Sequence, residues 1–379
     1  MLLFLLLASS WGALTAANLL ESTTRFQSFQ SFCFRCQQSI ISSLEKLEGE
    51  LFIPNSQSSG PKFRQDPWEK FSNSDRIGHG ITAVIEKGNI IEKGAVSTTI
   101  LTGELSKERA SAISSRRSDE TFRINAGDTF YASALSIVLH SRSPMLPTFR
   151  ADVRYFEVRK NSKDTLDDND DAAIGWFGGG ADLTPYYLFE EDVIGFHQHY
   201  KAICDKYSKQ GSNIDSASPY NSLYEELKKT CDDYFFIPSR NEHRGVGGIF
   251  FDDLTSLKST TQPHSVPQSI KQQHDNAQEF TQLVAESFLS SYEPIIRRRI
   301  SLPYSDEQRH WQLLRRGRYV EFNLVYDRGV RFGLVPGGRT EAVLVSCPPV
   351  VAWDYDHQPK PDSKEAELMA ILKTPRSWC

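Results

Sequence analysis

An excess of positive charge is the first thing this chain lacks. Forty-three lysines and arginines face 48 aspartates and glutamates, a formal net charge of −5, which excludes a protein devoted to gripping nucleic-acid phosphates. Cysteine is scarce as well: six in 379 residues, at 33, 36, 204, 231, 347 and 379. They are too few and too scattered for a disulfide scaffold. Cys33-x-x-Cys36 has redox or zinc spacing, yet it has no second pair and no strand–helix–strand context. No apolar run is long enough to read as a stable membrane span in the mature protein. There is no Walker loop, no nucleophile elbow and no His-Glu-x-x-His helix. Gly78-x-Gly80-x-x-Ala83 begins like a dinucleotide fingerprint, but it leads into the strand-and-turn pattern Val84–Gly88 where a helix is required.

What is there suits a globular enzyme. Hydrophobic residues make up 39% and charged residues 24% of the chain, enough for a real core. Residues 1–19 read as a signal peptide, with the apolar run Leu2–Leu7 followed by Ala13, Ala16 and Ala17. Residues 20–61 read as a transit-like or disordered segment, because 22–44 contain Arg25, Arg35, many hydroxyls and no acid. A leader of two such parts implies a plastid of secondary origin; secretion and mitochondrial import are the alternatives. The fold is expected over 62–379 as a single domain.

Period-two alternation predicts strands at 134–140, 149–158, 319–326 and 339–346. The second places Arg150, Asp152 and Arg154 on one face, and the first places Ser136, Val138 and His140 together. Apolar stripes of period 3.6 predict helices over 190–207, 277–299 and 363–372. Hairpin-like strands mixed with long helices predict an α+β fold with a largely antiparallel sheet.

The run Trp176–Tyr187 carries three consecutive glycines (178–180) ahead of Asp182, inside a wall of aromatic residues. Such glycines are tolerated where backbone passes close to something or turns sharply. The plain reading is a strand end before a helix; the functional one is a carboxylate facing a flat ligand. Arginines add to the second. Arg154 lies on a strand face, Arg339 follows Gly337-Gly338, and Arg315, Arg316 and Arg318 lead into an expected strand. Guanidinium forks match carboxylates, so these groups suit a flat polycarboxylic ligand unless they pair internally with Glu321, Glu341, Asp252 or Asp253. His140 and His197 are candidates for a metal, or ordinary buried histidines.

Four strings carry a resemblance: Gly175–Pro185 (GWFGGGADLTP), Cys231–Phe236 (CDDYFF), Arg240–Leu254 (RNEHRGVGGIFFDDL) and Arg315–Leu324 (RRGRYVEFNL). They resemble the signature segments of oxygen-dependent coproporphyrinogen III oxidases, in order, over residues 63–379. The resemblance implies a homodimer of one domain, a large sheet with helices on both faces. It implies oxidative decarboxylation of two propionates of coproporphyrinogen III to vinyls in haem or chlorophyll synthesis. O₂ is the co-substrate, with no organic cofactor and no metal. By position, Ser136, Arg154, Gly337, Gly338 and Arg339 match substrate-binding residues, and Asp182 matches the acid that holds the pyrrole N–H groups. Arg150 stands at the position of a histidine proton donor, and Asp152 at that of an asparagine which helps bind. Arginine keeps its proton near neutral pH. Position 150 therefore holds a propionate or pairs with Asp152 in an adapted enzyme. Otherwise the chain is a catalytically impaired paralogue that binds a porphyrin or a partner subunit.

Overall fold

The computed structural model describes residues 24–51, 60–72, 75–115, 124–160, 173–208, 220–261, 268–334 and 339–379. Seven strands lie side by side in chain order: β1 (Arg64–Ser72), β2 (Asp75–Glu86), β3 (Ile91–Glu104), β4 (Thr129–Ser141), β5 (Thr148–Arg159), β6 (Ala173–Thr184) and β7 (Gly247–Leu254). Every neighbouring pair is antiparallel. The alternation read from sequence sets which side chains go where. In β5, Phe149, Ala151, Val153 and Tyr155 are buried on one face, and Arg150, Asp152 and Arg154 take the other.

Helices cover both faces. Against the first lie α1 (Arg25–Glu50), α3 (Glu190–Cys204), α5 (Ile270–Glu286) and α6 (Phe288–Arg299). Rings interlock there: Phe149 stacks on Tyr292 of α6 and meets Phe196 of α3 edge-on. Among the described residues, the second face is covered only at its margins. Tyr319 of α7 (Asp306–Val325) packs on Ala95 and Val138 at one end. At the other, Ala110 and Ile113 of α2 (Lys107–Ser114) pack on Phe130 and Trp176. Beside β7, α4 (Leu223–Tyr234) supplies Cys231, which packs with Phe235 and Phe250. The short helices α8 (Arg328–Gly333) and α9 (Thr340–Leu344), with α10 (Lys364–Lys373), complete the described helices, and two small two-stranded ladders join Tyr207–Ser208 to Lys258–Ser259 and Phe236–Ile237 to Glu242–His243. The expected α+β domain with a largely antiparallel sheet is what forms.

Four expectations are corrected. Residues 25–50 are not a transit-like tail: Thr24 and Gln27 form a capping box at the start of α1. Phe29, Cys33, Gln37, Ile40, Leu44 and Leu47 then fall on one buried stripe. Buried Gln37 donates to the carbonyls of Ile81 and Val96, at 2.9 and 2.8 Å, tying α1 to β2 and β3. The folded unit thus begins well before residue 62, while the signal-like residues 1–19 lie outside the described residues. Residues 319–326 are not a strand but the end of α7. That helix starts upstream at a second capping box, Ser305 with Gln308, with Asp306 and Glu307 in its first turn. Its buried set Arg315, Arg316, Tyr319, Phe322 and Asn323 has helical spacing, and Leu324 and Val325 of the apparent alternation face solvent. Residues 339–346 hold α9 where a strand was expected. The 277–299 helix is broken at Ser287 into α5 and α6.

Candidate active site

The uncovered part of the second face is floored by small side chains. Reading across the register, Asp66, Thr82, Ser97, Ser136, Asp152 and Gly180 form one row, and Trp68, Gly80, Thr99, Ala134, Arg154 and Gly178 the next. All six central positions on β2, β3 and β4 are glycine, alanine, serine or threonine, which leaves a shallow trough. From β1 to β5 it spans four strand spacings, roughly 19 Å. Ser136 lies exposed on this floor. Tyr319 bounds one end of it, and Phe130, Phe156 and Trp176 bound the other.

Arginines stand at both sides. On the β5 side, Asp152 bridges two of them, with Oδ1 2.6 Å from Arg150 and Oδ2 2.5 Å from Arg154. Arg154 also meets Asp252 at 3.2 Å, and Arg328 approaches Asp252 at 3.7 Å. Arg150 lies over the Phe235 ring and Arg154 over Phe250. Burial pushes the Arg150 pKa down, but the carboxylates of Asp152, Asp182 and Asp327 outweigh it and raise it above the ordinary arginine value. Arg150 is a fixed cation. Asp252, despite its burial, is held below the usual carboxylate range by Arg154. On the β1 side, Arg339 pairs with Asp66 at 2.6 Å and lies over Trp68. Gly337 and Gly338 lie outside the described residues.

Asp182 sits beside Arg150 in the register but is sealed, 3% exposed, by a partner the sequence did not reveal. Arg244, 1% exposed, donates to Asp182 Oδ2 at 2.6 Å. Its guanidinium lies 3.9 Å from the Phe235 ring centre and 4.7 Å from that of Tyr319. Asp182 Oδ1 is buried with no hydrogen-bond partner among the described residues. Arg244 belongs to the RNEHRGVGG string, and nothing in its local pattern marks it off from its neighbours. The same is true of Trp68 and Asp66, whose place depends on which strands pair.

The glycine run has an internal explanation. A Cβ at Gly178 would meet Arg154 Nε at 2.6 Å, one at Gly179 the Asp152 carbonyl oxygen at 2.6 Å, and one at Gly180 the Ile249 carbonyl oxygen at 2.4 Å. The close approach inferred from sequence is thus to neighbouring strands and to the Arg154 side chain. Of the arginines expected to lead into a strand, Arg315 pairs with Glu242 and Arg316 with Glu92. Arg318 joins Arg240 on Glu321, so these hold the fold together. His140 is buried between Thr148 Oγ1 and the Ser346 carbonyl, and His197 is buried against the Tyr224 hydroxyl. Both are core histidines; His140 has both ring nitrogens satisfied, whereas His197 Nε2 is buried with no hydrogen-bond partner among the described residues. Burial pushes the Cys33 and Cys36 thiols up to about 12, which removes their nucleophilic character at neutral pH.

A groove of about 450 Å³ lies on the opposite side, between α1 and α6. Its charged lining is Arg35 against Glu286 and Glu293, which repels a polyanion. The trough, flanked by arginines and floored by small residues, is the better match for a flat polycarboxylate.

Comparison with known proteins agrees with that chemistry. A family profile described as coproporphyrinogen III oxidase matches residues 28–378. The chain is 40% identical over 325 residues to the oxygen-dependent coproporphyrinogen-III oxidase of Drosophila melanogaster, covering 85% of this chain and 72% of the relative. Against the protein of the same name from Francisella tularensis subsp. holarctica (strain LVS), identity is 40% over 356 residues, 93% of this chain and 98% of the relative. The Francisella philomiragia protein is 39% identical over 352 residues.

Proposed function

Because the chain belongs to the coproporphyrinogen III oxidase family, we propose that it catalyses the oxygen-dependent oxidative decarboxylation of coproporphyrinogen III to protoporphyrinogen IX. The observation that carries this reading is the small-residue trough with arginines on both sides, since a flat macrocycle bearing carboxylates needs an unobstructed floor and cations at its rim. In the reaction each of two propionates leaves as a vinyl group plus CO₂. The hydrogen and electron pair released pass with a proton to O₂, giving H₂O₂. No organic cofactor or metal is needed in this scheme. Arg154 and Arg339 bind ligand carboxylates from opposite sides, Ser136 lies under the ring, and Gly337 and Gly338 offer backbone N–H groups. The open lone pairs of Asp182 Oδ1 suit pyrrole N–H donors once the site opens. Arg150, always protonated, acts here as a carboxylate-binding cation.

Aerobic incubation with coproporphyrinogen III, followed by oxidation and chromatography of the fluorescent porphyrins, tests the reading. Product with two fewer carboxyl groups is expected in air and not under argon; no conversion in air overturns it. The proposal includes a homodimer, which light scattering in solution checks. It also includes delivery to a plastid of secondary origin, with any leader removed ahead of α1.

A further inference from the structure

Each arginine that the preceding reading assigns to ligand carboxylates already holds a protein carboxylate. Asp152 takes Arg150 with one oxygen and Arg154 with the other. Asp252 takes the second arm of Arg154 and faces Arg328. Arg244 is committed to Asp182, and Asp327 adds its field at Arg150. On the β1 side Asp66 holds Arg339. The β5 corner therefore brings four arginines and four aspartates together, with no surplus of positive charge. An arriving carboxylate can gain an ion pair only by breaking one, and the displaced aspartate stays beside it as a like charge.

Asp152 is the pivot of this balance. Among the described residues it is the carboxylate that joins Arg150 to Arg154, and its side chain is 10% exposed while those of Arg150 and Arg154 are 20% and 32% exposed. The arginines reach the trough; their counter-charge lies below them. Resting on the proposed function, we propose that Asp152 is a built-in competitor for substrate carboxylates. It lowers the grip of the trough on ligand carboxylates, and by more for a ligand that presents four of them than for one that presents two.

The test uses the full chain and two stable probes, coproporphyrin with four carboxylates and mesoporphyrin with two, titrated by porphyrin fluorescence at fixed ionic strength. Asp152→Asn frees both arginines without changing side-chain size. It should tighten coproporphyrin binding about tenfold, the worth of roughly one charge-assisted hydrogen bond, and mesoporphyrin binding less. Asp152→Glu restores the competing charge and should bind both probes as the parent does. Equal tightening of both probes, no tightening of coproporphyrin, or tightening by Asp152→Glu as well would each overturn the inference while leaving the proposed function standing. If Asp152→Asn does not fold, Asp252→Asn frees one arm of Arg154 and should give a smaller gain for coproporphyrin; no gain there overturns the inference. Absence of binding by either probe to every form overturns the trough as the ligand site, and the inference with it.

Discussion

Replacing Asp182 by alanine would leave the Arg244 guanidinium, 1% exposed, without its counter-charge. Removing one partner of such a buried pair costs about 3–5 kcal/mol, so Asp182→Ala should show a clear loss in denaturant midpoint and cannot by itself report on chemistry. Asp182→Asn keeps the shape and an acceptor for Arg244. That variant should fold and lose turnover; unchanged turnover would remove Asp182 from the reaction. The histidines bear on pH. His140 Nε2 faces the Ser346 carbonyl and must donate to it, so Nδ1 is left to accept from Thr148, whose hydroxyl oxygen faces Tyr186 OH at 2.6 Å. Burial, helped by the Arg316 charge, holds its pKa well below 6.5. Burial and then Lys228 lower His197 from 6.5 to about 3. With folded values depressed, the unfolded chain binds the extra protons. The stabilisation is complete above pH 6.5 and is lost as the pH falls toward 3. His197 should cost roughly 1 kcal/mol per pH unit across that window, and His140 adds a loss of the same sign as the pH falls below 6.5. A thermal melt series from pH 7 to 4 checks this, and His197→Gln should flatten it.

At the level of whole strands and helices, the glycine run separates two kinds of crowding. A methyl group at Gly178 meets the movable end of Arg154, and one at Gly180 meets the Ile249 backbone of the next strand. Gly178→Ala should fold normally and bind coproporphyrin more weakly, whereas Gly180→Ala should lower the melting temperature, since two paired strands must part. Melts and porphyrin titrations on both variants distinguish the cases. Strand β5 was legible in the sequence because Phe149, Ala151, Val153 and Tyr155 alternate cleanly with polar residues and all four are buried. The end of α7 was not, since Val320, Phe322 and Leu324 alternate by coincidence, and the capping box that starts the helix lies fourteen or more residues upstream of them. Helix α1 was hidden by its composition. Its first part, with no acid before Glu45, looks like an import signal, although Phe29, Cys33, Gln37, Ile40 and Leu44 keep a helical spacing. Within the site, Arg150, Asp152 and Arg154 could be placed on one face from local alternation. Arg244 and Asp66 could not, because their partners are set by strand pairing and by contacts between residues far apart in the chain.

For the molecule as a whole, α1 makes residues 25–50 indispensable. A chain starting at residue 24 should be soluble and melt cooperatively. One starting at residue 62 should not, because it uncovers Phe177, Tyr155 and the other residues packed on Phe29; expression and melting of the two truncations decide it. The sheet also has two outer strands, and they are finished differently. The side of β7 is occupied by α4. That of β1 has no strand or helix alongside among the described residues, but it carries Arg64, Asp66, Glu69 and Lys70 with Pro67 among them. Proline removes a backbone donor, and charges of both signs make it costly for a foreign strand to settle alongside. The sheet is therefore closed to growth at one edge by a helix and at the other by its chemistry. The long, flat floor that suits a macrocycle is thereby kept from becoming a template for aggregation.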